Sequence, residues 1–177
     1  MAIWFNRGYA TSVAQLLDGG TAMLHGTVRV GVGRVKAPLS ARDIAYYLIA
    51  VEGTDPPFTE GDGVPFFLTV GADTVAVDPR GAIPVFHPRH AAAYREDHAA
   101  AVLFEASRPF QRWRSVASWD LSLFREWCLV DDVELEVSGA AFREVPAAQQ
   151  QQGRFRDVST HWTLRATPRT PLTLRWR

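Results

Sequence analysis

One cysteine, one lysine and no long apolar run distinguish this chain of 177 residues. Cys128 alone cannot close an internal disulfide, so a reducing compartment is expected, and the localisation read from this is cytoplasmic. Lys36 stands against eighteen arginines. That leaves lysine chemistry a single candidate, and together with the abundant alanine it suggests a GC-rich, bacterial genome. Nowhere do about 18 apolar residues follow one another, so no integral membrane segment is expected. The opening MAIWFNRGYATSVAQLL has neither a seven-residue apolar stretch nor a small-residue cleavage pattern, so no secretion signal is expected. Net charge is also missing: 19 basic residues meet 19 acidic ones. This argues against nucleic acid as a general partner, because phosphate neutralisation supplies most non-specific affinity.

Apolar residues make up 47% of the chain, enough to bury a core without disulfides or a metal. The segment from Val64 to Pro88, VPFFLTVGADTVAVDPRGAIPVFHP, reads as strands over Val64–Val70, Thr74–Val77 and Ala82–Phe86. A Gly-Ala-Asp turn and an Asp78-Pro79-Arg80-Gly81 turn separate them. Upstream, Ser12–Leu17 reads as a short helix. Ala22–Val32 reads as a strand whose glycines, Gly26 among them, mark a bulge or tight bend. Ile44–Val51 reads as a buried strand, and Glu52–Gly63 as a polar loop rich in Pro and Gly. From Pro88 to about residue 106 the alanine content and the proline at the start predict one helix of four to five turns. Asp120–Trp127 reads as a second, short helix opened by Asp120. Strands return at Val133–Ser138, Ala141–Val145, Phe155–Leu164 and Leu172–Trp176, and Gln149–Gln152 reads as a loop. The expected fold is α+β, mainly antiparallel β (a sandwich or partly closed barrel) with one main Ala-rich helix.

Candidate chemistry is sparse. His87, His90 and His98 are the clustered histidines. His90 and His98 would sit two helical turns apart, about 12 Å, too far to share a metal without a third element. No Gly-x-Ser-x-Gly or phosphate-loop pattern is present, and Cys128 reads as a small buried hydrophobe between Trp127 and Leu129. Asp131-Asp132 alternate faces on a strand and fit a turn better than an acid-base pair. Charge is uneven in the last third. Asp120 to Glu144 carries seven acidic residues against Arg125 and Arg143, a net of −5. Arg154 to Arg177 carries six arginines against Asp157, a net of +5. Either neighbouring strands pair these charges, or the basic strands form a face with Trp162 and Trp176 for an anionic partner. Trp4, Trp113 and Trp119 lie in terminal or arginine-containing segments, as contact residues often do.

Taken in order, several segments resemble the GIDE domain, also called BAM (beside a membrane), of organellar membrane E3 ubiquitin ligases and related prokaryotic proteins. They are Gly26-Thr-Val-Arg-Val; Ala37-Pro38-Leu39-Ser40; Tyr46-Tyr47-Leu48-Ile49; Pro65-Phe66-Phe67-Leu68; Val75-Ala-Val-Asp78-Pro79-Arg-Gly81-Ala82; and Glu126 through Leu129 and Val133 to Gly139. Asp131 stands where the family has a glycine. The resemblance spans about residues 24–145 of a single domain 1–177, with a helical insertion at about 88–127 and C-terminal strands at 155–177. One cysteine cannot build the RING of those ligases. What the resemblance implies is a non-enzymatic interaction or regulatory module without a cofactor. Such a module would bind a partner protein or assemble with itself, with Trp4, Trp113, Trp119, Trp162, Arg165 and Arg175 as candidate contacts. Two alternatives stand beside it. One is a metal-dependent enzyme using His87, His90 and His98. The other is a nucleic-acid binder using the basic C-terminal strands (Arg154, Arg156, Arg165, Arg175, Arg177).

Overall fold

Period-two burial is clearest along Thr21–Arg29 and Tyr46–Glu52. In the computed structural model, residues 8–52, 58–95, 111, 123–144 and 161–177 are described. Among these residues thirteen strands follow one another: β1 (Thr21–Arg29), β2 (Val35–Lys36), β3 (Asp43–Ile44), β4 (Tyr46–Glu52), β5 (Phe58–Gly63), β6 (Phe66–Val70) and β7 (Asp73–Val77). Then come β8 (Ile83–Val85), β9 (Ala92–Arg95), β10 (Leu123–Leu129), β11 (Glu134–Glu144), β12 (His161–Arg165) and β13 (Thr173–Trp176). Single 3₁₀ turns occur at Val13–Gln15 and Pro88–His90. The chain forms two compact units, one of residues 1–29, 65–85 and 131–177, the other of 30–64 and 86–130.

The first unit is a closed barrel. Its strands run β1-β6-β7-β12-β11 and back to β1, while β13 and β8 extend the sheet from β11. Numbered along the chain, the barrel order is first, second, third, fifth, fourth. The third and fifth strands (β7 and β12) are parallel and the other barrel neighbours antiparallel. This is the Greek-key order of OB-type barrels. Closure leaves no open edge among these five strands. Leu24, Val28, Phe66, Leu68, Val75, Val77, Leu135, Val137 and Leu164 fill it, all fully buried. Gly26 faces inward where β1 exchanges β11 for β6 as its partner, and a Cβ there would lie 2.2 Å from the Thr69 carbonyl oxygen. The bend expected at this glycine is therefore a close approach of two backbones.

The second unit is an antiparallel sheet, β5-β4-β10-β9, together with the β2–β3 hairpin. Its core gathers Ala37, Leu39, Ile44, Tyr47, Ile49, Val51, Phe58 and Phe124.

Three expectations are overturned here. The fold is not α+β with a main Ala-rich helix. Pro88–His90 makes one 3₁₀ turn, and Ala92–Arg95 then pairs with β10, Tyr94 opposite Phe124. Alanine's helix preference is worth only tenths of a kcal/mol per residue, and sheet pairing outweighs it; residues 96–106 of the expected helix lie outside the described residues. The short helix at Asp120–Trp127 is, from Leu123 on, strand β10, paired with β4 along its whole length. The polar loop at Glu52–Gly63 contains β5. Its glycines are weak strand formers, but the Tyr46 ring lies across them: a Cβ on Gly61 would meet the Tyr46 hydroxyl at 2.5 Å, and one on Gly63 the Tyr46 ring at 2.6 Å. An aromatic covering edge glycines restores the packing those residues lack. The turn before β11 has its left-handed residue at Asp132 (φ 66°), a conformation Asp tolerates better than most residues.

Candidate functional site

The motif residues divide between the two units. In the barrel unit, Phe66 is fully buried in β6, just after Pro65. Asp78, Pro79 and Gly81 form the turn after β7. There the Ala82 N–H donates to the Pro79 carbonyl at 3.0 Å, and Gly81 takes the positive φ (72°) the turn requires. Asp78 anchors this turn: its carboxylate accepts from the Arg80 amide at 3.2 Å and from Arg80 Nε at 2.9 Å. The bonds to Arg80 hold the Asp78 carboxyl below its ordinary value, burial opposing them. Gly139 sits in the middle of β11, and a Cβ there would press on Leu172 at 2.7 Å. These six positions are architectural.

In the second unit, Pro38 begins the convergence that sequence reasoning did not see. The loop Ala37–Arg42 connects β2 to β3. It is closed by the Ala37 N–H donating to the Arg42 carbonyl at 2.9 Å, with Ala41 at φ 56°. Phe124, Glu126 and Cys128 share one face of β10, so Glu126 projects among the apolar side chains of the core, 1% exposed. Its two oxygens are both used. Leu39 N–H donates to Oε1 at 2.7 Å and Ser40 N–H to Oε2 at 2.9 Å. A carboxylate so placed answers two backbone donors that the loop would otherwise bury unpaired. The Cys128 thiol lies 3.6 Å from both the Ser40 hydroxyl and Glu126 Oε2. Burial, with the Glu126 charge adding to it, pushes that thiol up to about 11, although Ser40 pulls the other way. Such a thiol is almost wholly protonated at neutral pH and a poor nucleophile. A signal for this cluster existed: Glu126 breaks an alternating apolar pattern at an inward position.

Tyr46, the other motif residue of this unit, is the ring across Gly61 and Gly63. Beside it, the Tyr47 hydroxyl donates to Glu60 Oε1 at 3.4 Å. Burial first, then the Glu60 and Asp62 charges, raise the Tyr47 phenol; burial likewise raises the Glu60 carboxyl, with Tyr47 opposing.

The histidines form a tight corner. His90 N–H donates to the His87 carbonyl at 3.0 Å, and the Trp127 indole donates to that same carbonyl at 3.0 Å. Their ring centroids are 6.2 Å apart. Arg89 occupies a nitrogen of each, donating from its amide to His87 Nδ1 at 3.2 Å and from Nε to His90 Nε2 at 3.1 Å. Burial and the neighbouring Arg89 and His87 lower the His90 imidazole. His98 lies outside the described residues. Among the described residues no three His, Cys, Asp or Glu side chains converge as metal ligands.

The basic C-terminal strands are answered by acids across the sheet. Glu136 sits opposite Arg175 in register and pairs with both Arg175, at 3.7 Å, and Arg177. Arg165 pairs with Glu144 at 3.3 Å while its guanidinium lies 4.0 Å above the Phe142 ring. Of the two charge readings offered by the sequence, these pairs follow the cross-strand one. Trp162 is half-buried on β12; Trp4, Trp113, Trp119, Arg154 and Arg156 lie outside the described residues. No helix among the described residues is long and apolar enough to cross a membrane. No family model, no curated protein and no solved structure matches this chain.

Proposed function

We propose that this protein works by binding rather than by catalysis, as an interaction or regulatory module similar to the GIDE/BAM domain, recognising a partner protein. The observation that carries this reading is the use of Glu126. The most buried acid among the described residues gives both oxygens to the amides of Leu39 and Ser40. The Pro38-Leu39-Ser40 turn and the Glu126 strand, two segments on which the resemblance rests, are thereby joined in one structural unit. The same bonds remove the best-placed acid-base group from chemistry, and the adjacent thiol is held protonated.

The test is native purification of the full chain followed by mass photometry and cross-linking. The reading expects a stoichiometric protein partner or a defined homo-oligomer. A monomer that binds no protein and turns over a small-molecule substrate would refute it.

A further inference from the structure

Among the described residues, β8, β9 and β5 end the two larger sheets, and they differ. β8 carries Pro84 at its centre, which has no N–H to offer a further strand. β9 ends at Arg95, where the described residues stop. β5 runs for six residues without a proline, and among the described residues no strand pairs with its outer side. Thr59, Gly61 and Asp62 are exposed there. The Gly63 N–H on this strand is taken by the Asp62 carboxylate at 2.8 Å, and a strand edge without a partner strand is a template for an added one.

The side chains on this strand specify what would be added. Glu60 and Asp62, two residues apart, lie on one face. Several carboxylates elsewhere have cations: Asp43 has Lys36, Glu52 has Arg125, Asp132 has Arg29, Glu136 has Arg175 and Arg177, and Glu144 has Arg165. Glu60 and Asp62 have no ion-pair partner among the described residues. Glu60 Oε2 is moreover shielded from water and accepts no hydrogen bond, a state that costs free energy until a donor arrives. Burial raises both the Glu60 carboxyl and the Tyr47 phenol, and the neighbouring carboxylates, Asp62 for Glu60 and Glu60 with Asp62 for Tyr47, raise them further.

We propose that the outer edge of β5 takes up an extended basic segment of a partner protein, its backbone extending the β5-β4-β10-β9 sheet and its Lys or Arg side chains, at alternate positions, pairing with Glu60 and Asp62. This names the surface and the partner chemistry for the binding role above and rests on that reading.

The probe is a synthetic peptide alternating lysine and valine, with a glutamate-valine peptide as control. Affinity is read by fluorescence anisotropy and location by amide hydrogen exchange. The lysine peptide binds and slows exchange of the Thr59–Asp62 amides, and the glutamate peptide does neither. The double variant Glu60→Gln/Asp62→Asn, its fold verified by circular dichroism, loses at least about tenfold in affinity. Undiminished binding by the double variant, or binding without protection of β5, overturns the proposal. So does dimerisation through this edge with no affinity for the peptide, which makes a second copy the occupant. A native partner cross-linked away from β5 sinks the edge assignment and leaves the binding role standing. Absence of both peptide binding and any native partner sinks both.

Discussion

The barrel and the four-stranded sheet solve the problem of polar groups in opposite ways. The barrel keeps its interior apolar and places its charges outside, where Glu136, Glu144 and Asp132 each meet an arginine. The sheet unit carries polarity inward: Glu126 lies among the apolar side chains of its core, Cys128 packs beside it, and Glu60 is half-buried at its edge. Surface pairs of the first kind are worth little individually, so the barrel depends on packing. The second unit depends on a hydrogen-bonded carboxylate whose loss would strand two buried donors. One unit is thus broken by volume and the other by removing a polar partner.

The largest effect should come from breaking the barrel by volume. Gly26→Ala places a methyl group 2.2 Å from a backbone oxygen that has no rotamer to escape into. Chemical denaturation should record a loss of about 3 kcal/mol or more, or an insoluble product. Removing the polar partner comes next. Glu126→Ala leaves the Leu39 and Ser40 amides unpaired in the core, and the same measurement should show a loss of roughly 3 kcal/mol.

The comparison is sharpened by the thiol. With Cys128 pushed up to about 11, alkylation by iodoacetamide at neutral pH should run about a hundredfold slower than for a free thiol near 8.5, because the thiolate is the attacking species. Denaturant should restore the ordinary rate. The smallest effect is expected at the barrel's Asp78 turn. Its carboxyl is held low by Arg80, so its contribution is present above the unfolded value and disappears as pH falls through the folded one. Asp78→Asn should therefore be slightly less stable than wild type at neutral pH, and the two unfolding midpoints should converge once the pH has fallen below the lowered folded-state value.

Much of the barrel was legible because its signals are local. The Gly-Ala-Asp turn, the Asp78-Pro79-Arg80-Gly81 turn and the alternation around Val75 each act within a few residues, and β6, β7 and β8 follow them. Gly26 could be read as a bend, though not as the crossing with Thr69. The second unit was harder because its decisive features are non-local. The alanines after Pro88 favour a helix by themselves, and only pairing with a strand some thirty residues later makes Ala92–Arg95 extended. β5 looked like a loop because Gly61 and Gly63 punctuate it, and the ring that covers them belongs to Tyr46 on the neighbouring strand. Glu126 was recognisable as a motif residue. Its place between Phe124 and Cys128 marked an inward position, but its two amide partners, from a loop 86 and 87 residues away, were not written in its neighbours.

The claim that Glu126 is committed to structure is tested most directly by amide hydrogen exchange at Leu39 and Ser40. Both amides should be strongly protected in the wild type and exchange freely in Glu126→Ala under conditions where that variant remains folded. Rapid exchange at both positions in the wild type would contradict the account, because it would leave the carboxylate available to a ligand or a reaction.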